Sequence, residues 1–203
     1  MKASGYVIVI GRQFGSGGRR IGRALAERLG IAYYDKTLLS EAAAKLGFNK
    51  EIFANADERK PSFLSSLTGL SFGADSWSSP GLSSEKIYLA QSRAIRDIIS
   101  RKPCVIVGRT ADYIGRDLPN LISIFLHSPI EKRARHIMER GDSPSVKEAI
   151  ELARKRDKER EGYYNYYTGR HWGVADNYHL SIDSSSMSDN NIIDIIVAYL
   201  EKR

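Results

Sequence analysis

Near the start of the chain, Tyr6-Val7-Ile8-Val9-Ile10 is apolar at every position, with no polar alternation. Such a Val/Ile-rich run predicts a strand covered on both faces. Beyond it, residues 11–20 turn to glycine and arginine, and then Ile21, Leu25 and Leu29 recur every fourth residue. That spacing is one face of a helix, predicted over 18–29. The same alternation continues. Short apolar runs at 32–34, 104–107, 122–126 and 179–182 read as strands. Amphipathic stretches at 36–46, 84–100, 129–140, 146–161 and 190–201 read as helices. Ser128 is placed to cap the helix opened by Pro129, with Glu131 completing a capping box. Alternating strands and helices imply parallel strands joined by right-handed crossovers. The expectation is a single α/β domain over 1–203, with a five-stranded parallel sheet flanked by helices. Ligands on such sheets bind beyond the carboxyl ends of the strands. The 11–20 loop, the Gly108-Arg109 turn and the His127-Ser128 turn therefore share one edge.

The 11–20 loop has the layout of a phosphate cradle. Gly11, Gly15, Gly17 and Gly18 let backbone N–H groups approach an anion closely, and the helix N-terminus adds a favourable dipole. Arg12, Ser16, Arg19 and Arg20 complete the candidate phosphate- and nucleotide-binding set. The common nucleotide loop is G-x-x-x-x-G-K-[ST]. Aligned through Gly15-Ser16-Gly17, its lysine position holds Gly18, its hydroxyl position Arg19 and its first glycine Arg12. Arg19 or Arg20 could supply the missing charge, since a guanidinium suits phosphate. Neither can ligate a metal, and no metal-ligating set is expected.

Composition narrows the picture only slightly. The 203 residues are 42% hydrophobic and 27% charged, those of an ordinary globular chain with one sizeable core. A net charge of +7 fits an anionic partner such as a nucleotide. The usual nucleic-acid motifs are not seen, which argues against nucleic acid. Without a signal peptide or a bilayer-length apolar run, no membrane association is expected and the cytoplasm is the default compartment. The lone Cys104 sits in an apolar run and reads as a buried, inert thiol.

Two segments interrupt the alternation. Residues 60–83 are rich in Ser and Gly with interspersed Phe, Leu and Trp, too apolar for a plain linker, and read as a flexible flap or a partner surface. Residues 141–173 carry the run Arg154-Lys155-Arg156-Asp157-Lys158-Glu159-Arg160, then Tyr163, Tyr164, Tyr166 and Tyr167. Arg156 and Arg160 share a helix face, Arg154 lies to another side, and Asp157 could hold one of these arginines. Gly141 and Gly162 bracket the stretch as candidate hinges.

The residues resemble a known family. Ile10-Gly11-Arg12-Gln13-Phe14-Gly15-Ser16-Gly17-Gly18-Arg19, Tyr33-Tyr34-Asp35-Lys36, Val107-Gly108-Arg109 and Ala111-Asp112-Tyr113 look like the cytidylate kinase-like branch of the P-loop nucleoside-monophosphate kinases. The resemblance implies a P-loop NTPase-like sheet with two insertions, a helical monophosphate-binding region over 36–100 and a lid over 141–173. It implies a loop that cradles the donor phosphates, an Asp35 that meets the acceptor nucleoside and an Arg109 that clamps its phosphate. Asp112 falls on the same acceptor side. Arg154, Arg156 and Arg160 are the available lid arginines, with Asp157 among them, and Arg19, Arg109, Arg156 and Arg160 are the candidate catalytic groups. The implied ligands are ATP, magnesium held mainly through the nucleotide, and a CMP- or dCMP-like or related small acceptor. Two readings remain open beside a kinase: a non-catalytic nucleotide sensor on a degenerate kinase scaffold, and a basic nucleic-acid-binding protein.

Overall fold

A computed structural model describes residues 2–45, 47 and 84–203. The expected flap at 60–83 lies outside the described residues, as does much of the 36–100 region. The elements run β1 (Val7–Arg12), α1 (Gly18–Leu29), β2 (Ala32–Tyr34), α2 (Lys36–Lys45), α3 (Ser84–Arg101), β3 (Cys104–Val107) and α4 (Ala111–Ile114). They continue through β4 (Leu121–His127), α5 (Ile130–Glu139), α6 (Val146–Thr168), β5 (Leu180–Asp183) and α7 (Asp189–Lys202).

Five strands form one parallel sheet in the order β2-β3-β1-β4-β5. β1 lies at its centre, with Ile10 opposite both Val107 and Ile124. Side chains of a strand point alternately to the two faces. Ile8 and Ile10 accordingly enter a core with α1 and α7, built from Ile21, Leu25, Ile192 and Ile196. Val7 and Val9 enter the opposite core with Leu39, Ile95 and Ile98 of α2 and α3. The uninterrupted apolar run near the start follows from this, since each of its faces is covered. A third cluster, Ala134, Ile137, Ala149 and Ala153, joins α5 to α6 at the carboxyl edge of the sheet.

The boundaries differ from expectation at three informative places. Helix α6 runs unbroken through Gly162 to Thr168, so Gly162 lies inside the helix and does not bracket it. An interior glycine costs about 1 kcal/mol relative to alanine. Burial of Tyr163 and Tyr164 just beyond it offsets that cost. The Tyr88–Tyr167 stack, with centroids 3.9 Å apart, then fastens the end of α6 to α3. The capping box at α5 does not form. Pro129 itself takes the cap position with extended backbone, and no side chain caps the helix. Ser128 is instead buried with its hydroxyl unpartnered, because its backbone N–H and C=O are both held from outside. Finally, the single turn α4 was not anticipated, being too short to leave a periodic signal.

Candidate functional site

The loop between β1 and α1 is built from backbone constraints. Gly15 (φ 86°) and Gly17 (φ 83°) take left-handed conformations that only glycine adopts readily. At Gly15 space is also closed, for a Cβ there would lie 2.9 Å from the Arg133 carbonyl oxygen. Ser16 is buried, and its hydroxyl lies 2.9 Å from the Gln13 carbonyl and 3.1 Å from that of Leu126. Its side chain is thus committed to the interior. Helix α1 starts at Gly17 without a side-chain cap. The N–H groups of its first turn, at Gly18, Arg19 and Arg20, have no intrahelical partner by geometry and carry the positive end of the dipole.

Helices α5 and α6 grip the outside of this loop. The Phe14 N–H donates to Asp157 Oδ1 at 2.7 Å. Arg133 donates to the carbonyls of Phe14 (3.2 Å) and Ser128 (2.8 Å) and pairs with Asp157 at 2.5 Å. His136 Nδ1 lies 3.2 Å from the Gly15 carbonyl oxygen, and Arg160 donates to the Arg12 carbonyl at 3.1 Å. The guanidinium groups of Arg140 and Arg160 both lie over the Phe14 ring, 5.4 and 5.5 Å from its centroid. Burial pushes the Asp157 carboxyl up from the ordinary carboxylate value, against the opposing pull of the Phe14 N–H and Arg133.

Two cavities open in front of the loop. One, of about 760 Å³, is walled by Gly15, Gly17, Gly18, Arg20, Arg23 and Asp35. The other, of about 530 Å³, is walled by Lys36, Val107, Arg109, Leu152, Arg156 and Glu159. Arg12, Phe14, Arg19, Asp142 and Arg160 line both, so three guanidinium groups stand where the two spaces meet. A site with this surplus of cations suits a ligand with several phosphates.

Arg109 reaches its cavity from a strained turn. Gly108 (φ 82°), Arg109 (φ 63°) and Thr110 (φ 52°) are three consecutive left-handed residues at the end of β3. For non-glycine residues this conformation costs about 1–2 kcal/mol each. Arg109 is nonetheless only 3% exposed. Strain of this kind persists where the surrounding structure over-determines it, as at ligand clamps.

The structure brings together Arg12, Gly15, Gly17, Gly18, Arg19, Arg20, Asp35, Arg109, Arg156 and Arg160 around the two cavities. Asp35 also caps α2, its Oδ1 accepting the N–H groups of Thr37 and Leu38 at 3.0 and 3.1 Å. Other predicted residues sit elsewhere. A Cβ on Gly11 would lie 2.9 Å from the Phe125 ring, so Gly11 serves packing within β1. Arg154 is exposed and lines neither cavity. Asp157 holds the loop backbone and Arg133, and Arg160 also stands close enough to pull on its carboxyl. Asp112 is half-buried and accepts the Tyr164 hydroxyl at 2.8 Å. It borders a third cavity of about 460 Å³, with Arg170, Tyr178 and His179. Burial pushes its carboxyl up from the ordinary value.

Sequence reasoning missed Lys36, Arg133, His136 and Arg140. Arg133, His136 and Arg140 are spaced as one helix face, which was the available signal. As expected, Cys104 is buried, which pushes its thiol up to about 12 and leaves it unreactive. Among the described residues no helix is long and apolar enough to cross a membrane.

Comparison with known proteins agrees with this geometry. Residues 7–186 match the model of the cytidylate kinase-like family. A cytidylate kinase from Methanosarcina barkeri (strain Fusaro / DSM 804) is 28% identical over 184 residues, covering 90% of this chain and 89% of that protein. The crystal structure of an uncharacterized protein from Eubacterium ventriosum ATCC 27560 superposes with a TM-score of 0.73 at 28% identity, over 98% of this chain and 99% of the other. The fold is also that of a shikimate kinase from Acinetobacter baumannii, with a TM-score of 0.53 at 15% identity, over 99% of this chain and 95% of that one.

Proposed function

The chain belongs to the cytidylate kinase-like family, and from that premise we propose that it transfers a phosphoryl group from ATP to a nucleoside monophosphate of the CMP or dCMP kind, or to a related small acceptor. One observation carries this reading. Arg12, Arg19 and Arg160 line both cavities, so the cations stand at the junction of a donor space and an acceptor space. Phosphoryl transfer asks little covalent work of a protein and much alignment and charge neutralisation. The donor triphosphate lies against Gly15, Gly17, Gly18 and the α1 N-terminus. The acceptor lies in the Arg109 cavity, its phosphate clamped by Arg109 and its nucleoside oriented from Asp35. Arg156 and Arg160 close over the transferring group from α6, within a 141–173 lid.

Magnesium accompanies most such donors, but the residues here do not fit a protein-held ion. The Ser16 hydroxyl is turned inward and Arg19 occupies the loop's usual hydroxyl position. No group of three His, Cys, Asp or Glu side chains comes together among the described residues. The same departures favour a second reading, a nucleotide sensor without turnover. A coupled assay with ATP and a panel of nucleoside monophosphates, run beside calorimetric titration with ATP, separates the two. Turnover with CMP or dCMP supports the kinase. Firm ATP binding without turnover on any acceptor favours the sensor, and no binding of ATP sinks both.

A further inference from the structure

The loop departs from G-x-x-x-x-G-K-[ST] at its first glycine, where Arg12 stands, and at its lysine, where Gly18 stands. In the sequence these are separate oddities six positions apart. In the structure they touch. A Cβ built on Gly18 would lie 2.7 Å from Arg12 Cγ and 2.8 Å from Arg12 Cβ. Those atoms are the base of the arginine side chain and cannot swing aside as its far end could.

The reason for glycine at position 18 is therefore space. Gly18 is a helical residue and is absent from the positive-φ glycines, which include Gly15 and Gly17 on the same loop. Its backbone would accept any L-residue. The three nearest atoms that a Cβ would meet all belong to the Arg12 side chain. Arg12 is itself held in place, as the last residue of β1 and with its carbonyl accepting from Arg160 at 3.1 Å. Its side chain crosses the point from which a loop lysine would emerge, and it borders both cavities.

We infer that Arg12 is the phosphate-binding cation that takes the place of the loop lysine, and that Gly18 is glycine so that Arg12 can lie across it. The two departures form one compensating exchange: the cation moves from the helix start to the strand end. A guanidinium there presents a fork of donors to phosphate oxygens, where lysine offers a point charge. Arg19, which also borders both cavities, lies on the exposed side of the helix start. This inference rests on the phosphate-cradle reading above.

A set of variants tests it by calorimetric titration with ATP and by thermal melting. Arg12→Gly weakens ATP binding about ten- to a hundredfold, the range of a hydrogen-bonded charge, without lowering the melting temperature much. Arg12→Lys recovers part of that loss. The exchange Arg12→Gly with Gly18→Lys, which restores the first glycine and the lysine of the common loop, recovers most of it. Gly18→Ala lowers the melting temperature in the wild-type chain and is tolerated in the Arg12→Gly chain, a coupling that only contact between the two residues produces. Unchanged ATP affinity in Arg12→Gly overturns the inference while leaving the cradle intact. An equal cost of Gly18→Ala with and without Arg12 also overturns it, even if the exchange variant fails to fold. Failure of the wild-type chain to bind ATP or inorganic triphosphate overturns the cradle reading itself, and this inference with it.

Discussion

Asp157, halfway along the chain's longest described helix, accepts the backbone N–H of Phe14 at the tip of the glycine-rich loop, 2.7 Å away and 143 positions distant in sequence. The same carboxylate pairs with Arg133, whose other donors hold the carbonyls of Phe14 and Ser128. One anion thus joins α5, α6 and the loop, and sets the distance between the loop and the arginines of α6.

Asp157→Asn should reveal how much rests on this anion. The Arg133 and Asp157 side chains are only 8% and 15% exposed. Removing one charge leaves the other buried without its partner, at a cost of about 3 kcal/mol. The expected fall in melting temperature is roughly 6–12 °C. A fall below about 2 °C would mean that water reaches Arg133 and solvates it.

The strained turn at Arg109 allows a comparison of two truncations. Both Arg109→Ala and Arg109→Gly remove the guanidinium, and both should lower turnover about a hundredfold or more while leaving ATP affinity nearly unchanged, since Arg109 borders only the acceptor-side cavity. Glycine accepts φ 63° without strain and alanine does not. Arg109→Gly should therefore be the more stable of the two, by about 1 kcal/mol in urea unfolding. Equal stabilities would show that the turn relaxes once the arginine is gone.

Asp112 gives a pH dependence with a definite sign. Burial raises its folded-state pKa above the unfolded one, with the Tyr164 hydroxyl as the first opposing influence. A raised acid binds its proton more tightly when folded, so its stabilising share is complete below the unfolded pKa and is lost as pH rises through the folded value. Asp112→Asn removes this loss while keeping an acceptor for Tyr164. The variant should gain stability relative to wild type as pH rises from about 4 toward neutrality, read from urea midpoints. A gap that stays constant across that range would refute the assignment.

The lid reading has its own test. Two hydrogen bonds tie α6 to the loop, the Phe14 N–H donating to Asp157 and Arg160 donating to the Arg12 carbonyl. Bound ATP should slow proteolytic cutting within 141–173, because closure over the donor excludes water and protease together. Identical cutting rates with and without ATP would leave α6 as a fixed wall of the site.

Much of the frame could be read along the chain. The bounds of α1, Gly18–Leu29, and of the strands Ala32–Tyr34 and Cys104–Val107 emerge as expected, because each depends on a period and a stop signal within a dozen residues. The pairing of Arg156 with Arg160 around one cavity followed from helix spacing in the same way. The grip of Arg133 and His136 on the loop was not legible, because a helix face announces its residues but not what it will meet. Nor was the turn at Arg109, since an arginine forced to positive φ carries no mark in its neighbours.

Local chemistry was enough to indicate a first strand buried on both sides, a glycine turn, a helix opening after it and an arginine just past the Cys104–Val107 strand. These depend on side-chain period and backbone freedom, which act over a few residues. Folding alone decided which charges face the cavities and which hold the scaffold. Asp157 turned to the loop backbone, Asp112 went to a separate cavity beside Tyr164, and Arg12 came to lie across Gly18. Those outcomes depend on contacts closed between distant segments, where the need to satisfy each buried charge selects a partner that no neighbouring residue specifies.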